Sequence, residues 1–201
     1  AVGTLKIFAI CLVLGLSLGL LMGFGRYSRK RRYYYPSTAF VEFFRNTPVL
    51  VQILWFYFAL PILIPVEVSP LMAAVLGIAL NSAAFSAEIY RGGIQSIEPG
   101  QWEAARAVGM TDSQAMRRIV LPQAIKRMVP ALTNRGIEIF KMSTLASVVA
   151  YTELLNQAKL LASLNFNPIE TYTVVALVFF AFLYPLVQAT YALERVMARS
   201  D

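Results

Sequence analysis

Residues 103–124 read EAARAVGMTDSQAMRRIVLPQA, a charged and well-punctuated stretch set between apolar ones. Glu98-Pro99-Gly100, just upstream, is a turn signal. Gln101 to Val108 are good helix formers and predict a helix of about two turns. Gly109 ends it, because glycine tolerates the left-handed conformation common at helix ends. Thr111 and Gln114 have the spacing of a capping box, so a second helix starts there. Ala115, Met116, Ile119 and Val120 give that helix an apolar side, with Arg117 and Arg118 beside it. Pro122 is expected to stop or kink it. The stretch therefore predicts two short helices meeting at a glycine corner. Small side chains and one fixed charge, Glu103, suit the corner to docking; an ordered loop with no partner fits the same residues equally well.

Outward from this corner the chain is greasy. Of its 201 residues, 58% are hydrophobic and 14% charged, against roughly half and a quarter in soluble domains. Uncharged runs occupy residues 7–25, 49–66, 69–87 and 171–193. Each approaches the ~20 residues that cross a ~30 Å hydrocarbon layer. Four such runs in so short a chain argue against a water-soluble domain. The first is too long for the apolar core of a cleaved signal peptide and has no convincing small-x-small site before Arg26.

Positive charge sets the expected orientation. Arg26, Arg29, Lys30, Arg31, Arg32 and Arg45 follow the first run, seven more bases lie in residues 91–135, and Arg195 and Arg199 follow the last. Basic residues are retained in the cytoplasm, so the N-terminus is expected outside, the C-terminus inside, and the number of crossings odd. A fifth span is then required after the corner, in VPALTNRGIEIFKMSTLASVVAY. There Arg135, Glu138 and Lys141 recur every three residues and share a face. Such charges must face protein or water. A neutralising ladder between helices and the lining of a pathway both remain open. The expectation is one all-α integral membrane domain over residues 1–201. Its spans lie near 3–25, 47–65, 70–91, 128–150 and 171–194, with a cytoplasmic two-helix loop near 95–124.

The chain has no histidine and a single cysteine, Cys11, in the first run. That excludes an internal disulfide and cysteine metal clusters, and leaves few residues for a catalytic site. No Gly-Lys dipeptide occurs, so no GxxxxGK[ST] phosphate loop is present, and nucleotide chemistry would belong to another chain. The net charge of +7 is accounted for by topology and anionic membrane lipid rather than by nucleic acid.

The pattern Glu103-Ala104-Ala105, three residues, Gly109, nine residues, Ile119-x-Leu121-Pro122 resembles the EAA loop of ABC importer membrane subunits. GTLKI from Gly3, FVEFFRNTPVLVQ from Phe40 and AEIYRGGIQSIEPGQ from Ala87 are similar to permeases that import polar amino acids, so the resemblance covers nearly the whole chain. It implies a type I importer fold, and a bacterial cytoplasmic (inner) membrane location. Glu103, Ala104, Ala105, Gly109, Ile119, Leu121 and Pro122 would form the coupling loop that seats on an ABC ATPase dimer. ATP and magnesium would be held by that partner, none by this chain. A second permease, identical or related, and an extracytoplasmic amino-acid-binding protein are also implied. One departure stands out: Lys141-Met142-Ser143-Thr144-Leu145 has methionine where many relatives carry an aspartate.

A zwitterionic cargo needs polar groups at membrane depth. The candidates are Asn81, Ser82 and Ser86 in the third span, and Ser143, Thr144, Thr152, Glu153 and Asn156 in and beyond the fourth. Glu153 has no basic residue at helical spacing. It would favour a cationic amino acid if it faces the path, or simply lie in water at the outer surface. Glu88 and Arg91 are spaced as a structural pair, and Gly15, Ser17 and Gly19 would permit close helix contact. The rival readings are an ion-gradient-driven secondary transporter, which would usually show two related halves, a non-transporting membrane scaffold, and an intramembrane enzyme.

Overall fold

A computed structural model describes residues 2–198; Arg199, the last base in the charge argument, lies outside the described residues. Every regular element among those residues is helical. Helix α1, Val2–Tyr27, is the first apolar run. At 1.5 Å per residue its 26 residues extend about 39 Å, enough to cross a bilayer. Helix α2, Arg31–Asn46, is followed by α3, Val49–Leu54, which passes through a π turn, Trp55–Ala59, into α4, Leu60–Leu63. Helix α5, Pro70–Gln95, returns beside α1. The corner comprises α6, Pro99–Ala107, and α7, Asp112–Ala115. A π turn, Met116–Val120, joins α7 to the long α8, Leu121–Met142, and a 3-10 turn, Ser143–Val149, follows. Helices α9, Leu154–Asn165, and α10, Pro168–Ala198, complete the chain.

Three of these helices are long and apolar enough to cross a membrane: α1, α5 and α10. A fourth is added if α2 and the 49–63 segment, bent by 103° at their break, form one span. The sequence reading placed a helix only in the second half of that pair. It passed over α2 because RRYYYPSTAFVEFFRN is amphipathic rather than uniformly apolar. Helix α8 falls short on hydropathy for a visible reason: it carries Lys126, Arg127, Arg135, Glu138 and Lys141. It also begins inside the corner, well before residue 128, and its expected last turn is the tighter 3-10 segment, ended by Ala150 in the left-handed region (φ 56°).

Pro122 does not stop its helix. The π turn just before it closes a wider ring, Leu121 N–H to Met116 C=O, which relieves the proline's missing donor and its clash with the preceding turn. The same solution recurs at Pro61, where Leu60 N–H reaches Trp55 C=O.

Glycines decide how α1 meets α5. Gly15, Gly19 and Gly23 lie on one buried face. A Cβ on Gly15 would stand 2.8 Å from the Ser82 Cβ, and one on Gly19 2.6 Å from the Ser86 Cβ and 2.9 Å from the Ala83 carbonyl oxygen. Ser17 is on the exposed face and takes no part. The core then gathers Ile7 and Cys11 of α1, Ile53 of α3, Ala74 and Ile78 of α5, Ile139 of α8, and Ala146 and Val149 of the 3-10 turn. Helix α10 packs loosely and exposes Val174, Leu177, Phe180 and Phe182, an outer face suited to hydrocarbon.

Candidate translocation and coupling site

The corner has the local structure its residues dictate. Thr111 Oγ1 accepts from Gln114 N–H (3.3 Å) while Gln114 Oε1 accepts from Thr111 N–H (2.9 Å), a complete capping box. Gly109 has φ +78°, and Met110 N–H returns to the Ala105 carbonyl (3.0 Å), which closes α6 in the manner of glycine-ended helices. Glu103, Ala104, Ala107, Val108 and Gly109 are exposed, whereas Ala105 is buried. Ile119 and Leu121 are half-buried and Pro122 exposed.

The reverse side of the corner is anchored. Val120, Ala124 and Met128 pack with Ile94 and Ile97, and Trp102 and Met116 close over them. Gln123 donates to Gln101 (3.3 Å), and Arg127 donates to the Ser96 carbonyl. The corner, the end of α5 and the start of α8 are thereby packed as one unit. An open groove of about 760 Å³ runs between the end of α1 and the corner, lined in part by Arg26, Arg29, Trp102, Glu103, Arg106 and Asp112.

The polar residues of the spans fall into two groups. Near the centre of α5, Asn81 Nδ2 donates to the Phe44 carbonyl (2.8 Å), which lies near the α2–α3 break, and Asn81 Oδ1 accepts from Arg135 Nη2 (3.1 Å). Ser82 Oγ accepts from the same nitrogen (3.3 Å). Ser86 turns instead to Gly19 on α1. Toward the other end, Ser143 and Thr144 donate to the carbonyls of Phe140 and Lys141 on their own helix. Thr152 is exposed, and its carbonyl abuts Gly3. Glu153 is 1% exposed and caps α9: its oxygens accept from the N–H groups of Leu155 (2.9 Å) and Asn156 (2.6 Å). Burial pushes its carboxyl above the ordinary range, opposed by those two hydrogen bonds and by Lys159. The side chain is thus neither in water nor without partners.

Arg135 organises the inner group. It is 3% exposed, donates to Glu138 (2.6 Å), and lies over the Phe85 ring at 4.5 Å. Lys141 is exposed and joins no ion pair among the described residues, so the ladder expected from spacing is a pair. Phe85, Glu88, Ile89, Ala131, Asn134, Arg135 and Glu138 line an open cavity of about 430 Å³. The sequence left Arg135 and Glu138 open as the lining of a pathway but did not place them among the cargo-binding residues. The signal was present in the i,i+3 charges, but the partner face on α5 was not legible. Glu88, expected to pair with Arg91, also meets Arg26 (2.7 Å) and Arg45 (3.5 Å), which ties α1, α2 and α5 through one carboxylate.

Residues 15–199 match the family model described as binding-protein-dependent transport system inner membrane component, and the chain belongs to that family. It is 38% identical to the probable amino-acid ABC transporter permease protein YckA of Bacillus subtilis (strain 168), over 89% of this chain and 78% of that one. It is 32% identical to the arginine transport system permease protein ArtQ of the same organism, over 98% and 90%. The crystal structure of an amino acid ABC transporter with histidines superposes with a TM-score of 0.92 at 34% identity, covering 97% of this chain and 91% of that one. An inward-facing MetNI methionine ABC transporter, at 22% identity and a TM-score of 0.73 over 98% and 91%, shares the fold.

Proposed function

We propose that this chain is the permease subunit of an ATP-driven importer of polar amino acids in the bacterial cytoplasmic membrane. Five spans carry the path: α1, the α2–α4 pair, α5, α8 and α10, with the corner in the cytoplasm, the N-terminus outside and the C-terminus inside. An ABC ATPase dimer binds ATP and magnesium and seats the corner through the exposed Glu103, Ala104 and Gly109, with Ala105 buried beneath them as part of the corner's own packing. Ile119, Leu121 and Pro122 transmit its movement. An outside binding protein delivers cargo to a pair of permeases.

The observation that carries this reading is continuity. Helix runs without interruption from Asp112 to Met142, so a single rod of about 35 Å connects the corner with Arg135. A tilt of the corner moves the wall of the 430 Å³ cavity. That cavity offers a fixed cation, Arg135, beside a fixed anion, Glu138, which suits the two charged ends of an amino acid. Asn81 and Ser82 support the cation. Ser86, Ser143, Thr144, Thr152, Glu153 and Asn156 we assign to holding helices in place, so any preference for cationic cargo rests on Glu138. Purification of the tagged chain from its native membrane tests the reading: an ATPase co-purifies, and ATP-driven uptake of a radiolabelled amino acid is recovered in vesicles. Accumulation against a gradient by this chain alone, without nucleotide, overturns it.

A further inference from the structure

Immediately past the apolar part of α1 the chain places Arg29, Lys30, Arg31 and Arg32, then Tyr33, Tyr34 and Tyr35. All seven are exposed. None of the four cations forms an ion pair among the described residues. Their neighbours differ: Arg26 is neutralised by Glu42 (3.1 Å) and Glu88, and Arg45 and Arg91 by Glu88. The turn that presents the cluster is fixed. Ser28 N–H bonds Gly25 C=O (3.2 Å), Lys30 N–H bonds Ser28 Oγ (3.2 Å), and Ser37 of α2 packs directly on Gly25. The Arg32 guanidinium lies 4.8 Å over the Tyr33 ring.

We propose that residues 29–35 form a docking surface for the headgroup phosphates of anionic phospholipid in the leaflet where α1 ends. The placement rests on the membrane reading above. Charge complementarity selects the occupant: four uncompensated cations in sequence attract an anionic surface within a Debye length. The three tyrosines beside them combine an apolar ring with a polar tip, the pattern enriched at the membrane–water interface. Arg29 also lines the groove beside the corner, within reach of the ATPase, and an ATPase seated there is the competing occupant; the rest of the cluster follows directly on the end of a span, the place where headgroups meet a crossing helix.

The test uses the full transporter with a fluorophore on an Ala39→Cys variant, an exposed position one turn beyond the cluster; this chain's single native cysteine, Cys11, is buried. In nanodiscs of phosphatidylcholine, spin-labelled phosphatidylglycerol is expected to quench the fluorophore more than spin-labelled phosphatidylcholine does. The preference is lost when Arg29, Lys30, Arg31 and Arg32 are all changed to Gln. It is retained in the Arg29→Lys, Arg31→Lys, Arg32→Lys variant. It also declines as salt is raised on the unmutated cluster, a measurement that needs no altered chain to insert. Equal quenching by the two lipids, or a preference that survives both neutralisation and high salt, overturns the surface. ATP-driven amino-acid uptake in the same preparation reads the transport assignment separately: uptake with equal quenching removes the lipid surface alone.

Discussion

Asn81 accepts a hydrogen bond from Arg135 (3.1 Å), and with its amide nitrogen holds the Phe44 carbonyl (2.8 Å). One side chain on α5 thereby joins the charged helix α8 to the carbonyl end of α2, at the bend into α3. Helix ends leave backbone groups that need partners. Gln52 reinforces the bend, donating to the carbonyls of Phe44 (3.0 Å) and Thr47 (3.0 Å), and Thr47 Oγ1 donates to the Phe43 carbonyl (2.9 Å). The break, the buried guanidinium and the cavity form one polar unit.

Replacement of Arg135 by Ala or Gln is expected to lower amino-acid uptake by about tenfold or more, ~1.4 kcal/mol, with membrane insertion retained. Glu138 is left without its ion-pair partner, and Asn81 and Ser82 lose their donor. Asn81→Leu should approach the same loss, because it removes a bond to each of two helices. The double variant is expected to be little worse than either alone, as residues that act as one unit are non-additive. Additive losses would separate the residues into independent roles. Vesicle uptake of labelled amino acids in the single and double variants makes the measurement.

Much of the corner was readable in sequence because its determinants are local. A glycine at Gly109, a T-x-x-Q box and an apolar stripe act over a few residues, and the structure forms each of them. The long apolar helices α1, α5 and α10 were readable for the same reason. The cavity was not. Arg135 can be seen to share a face with Glu138, but its contacts with Asn81 and Phe85 cross fifty residues of chain or more. The surroundings of Glu153 were equally illegible. Its lack of a basic neighbour at helical spacing said nothing of the backbone amides two and three residues ahead, which take its carboxylate as a cap.

At the corner, Glu103→Lys and Val108→Asp each alter an exposed side chain without touching the buried anchor around Val120. Both should reduce ATPase co-purification while leaving the chain's own thermal stability within about 0.5 kcal/mol. Gly109→Ala differs. At φ +78° a Cβ is strained, so a cost of about 1–2 kcal/mol falls on the corner itself. Gly100→Ala, where a Cβ meets nothing within 4 Å, is the matched control. Unchanged ATPase capture in both Glu103→Lys and Val108→Asp would move the docking surface elsewhere.

The α1–α5 seam makes a packing prediction. Gly19→Val would place its Cβ 2.9 Å from the Ala83 carbonyl oxygen, a backbone atom that cannot swing aside. The helices must separate or tilt, at a cost of about 1–3 kcal/mol. A cysteine pair at Gly19 and Ala83 could not tell this from ordinary crowding, but a rescue can. Ser86→Gly in the Gly19→Val background removes the other close neighbour and should recover part of the loss. Thermal unfolding in detergent compares the three chains, and no recovery would show that the strain lies wholly on the backbone.

Glu153 separates capping from cargo recognition. Gln at this position keeps one acceptor for the amides of Leu155 and Asn156, so a loss of about 0.5–1 kcal/mol is expected from a weakened cap. Burial raises the native carboxyl above 4.5 in the folded chain, so the folded state holds the proton more firmly than the unfolded state does. The resulting stabilisation is complete below 4.5 and is lost as pH rises through the raised folded value. The wild-type unfolding temperature should therefore carry a downward component across that window which Glu153→Gln lacks. If the side chain only caps α9, the ratio of cationic to neutral amino-acid uptake is the same in both chains. A selective loss of cationic uptake in Glu153→Gln, beyond any general loss, would place the carboxylate on the path instead.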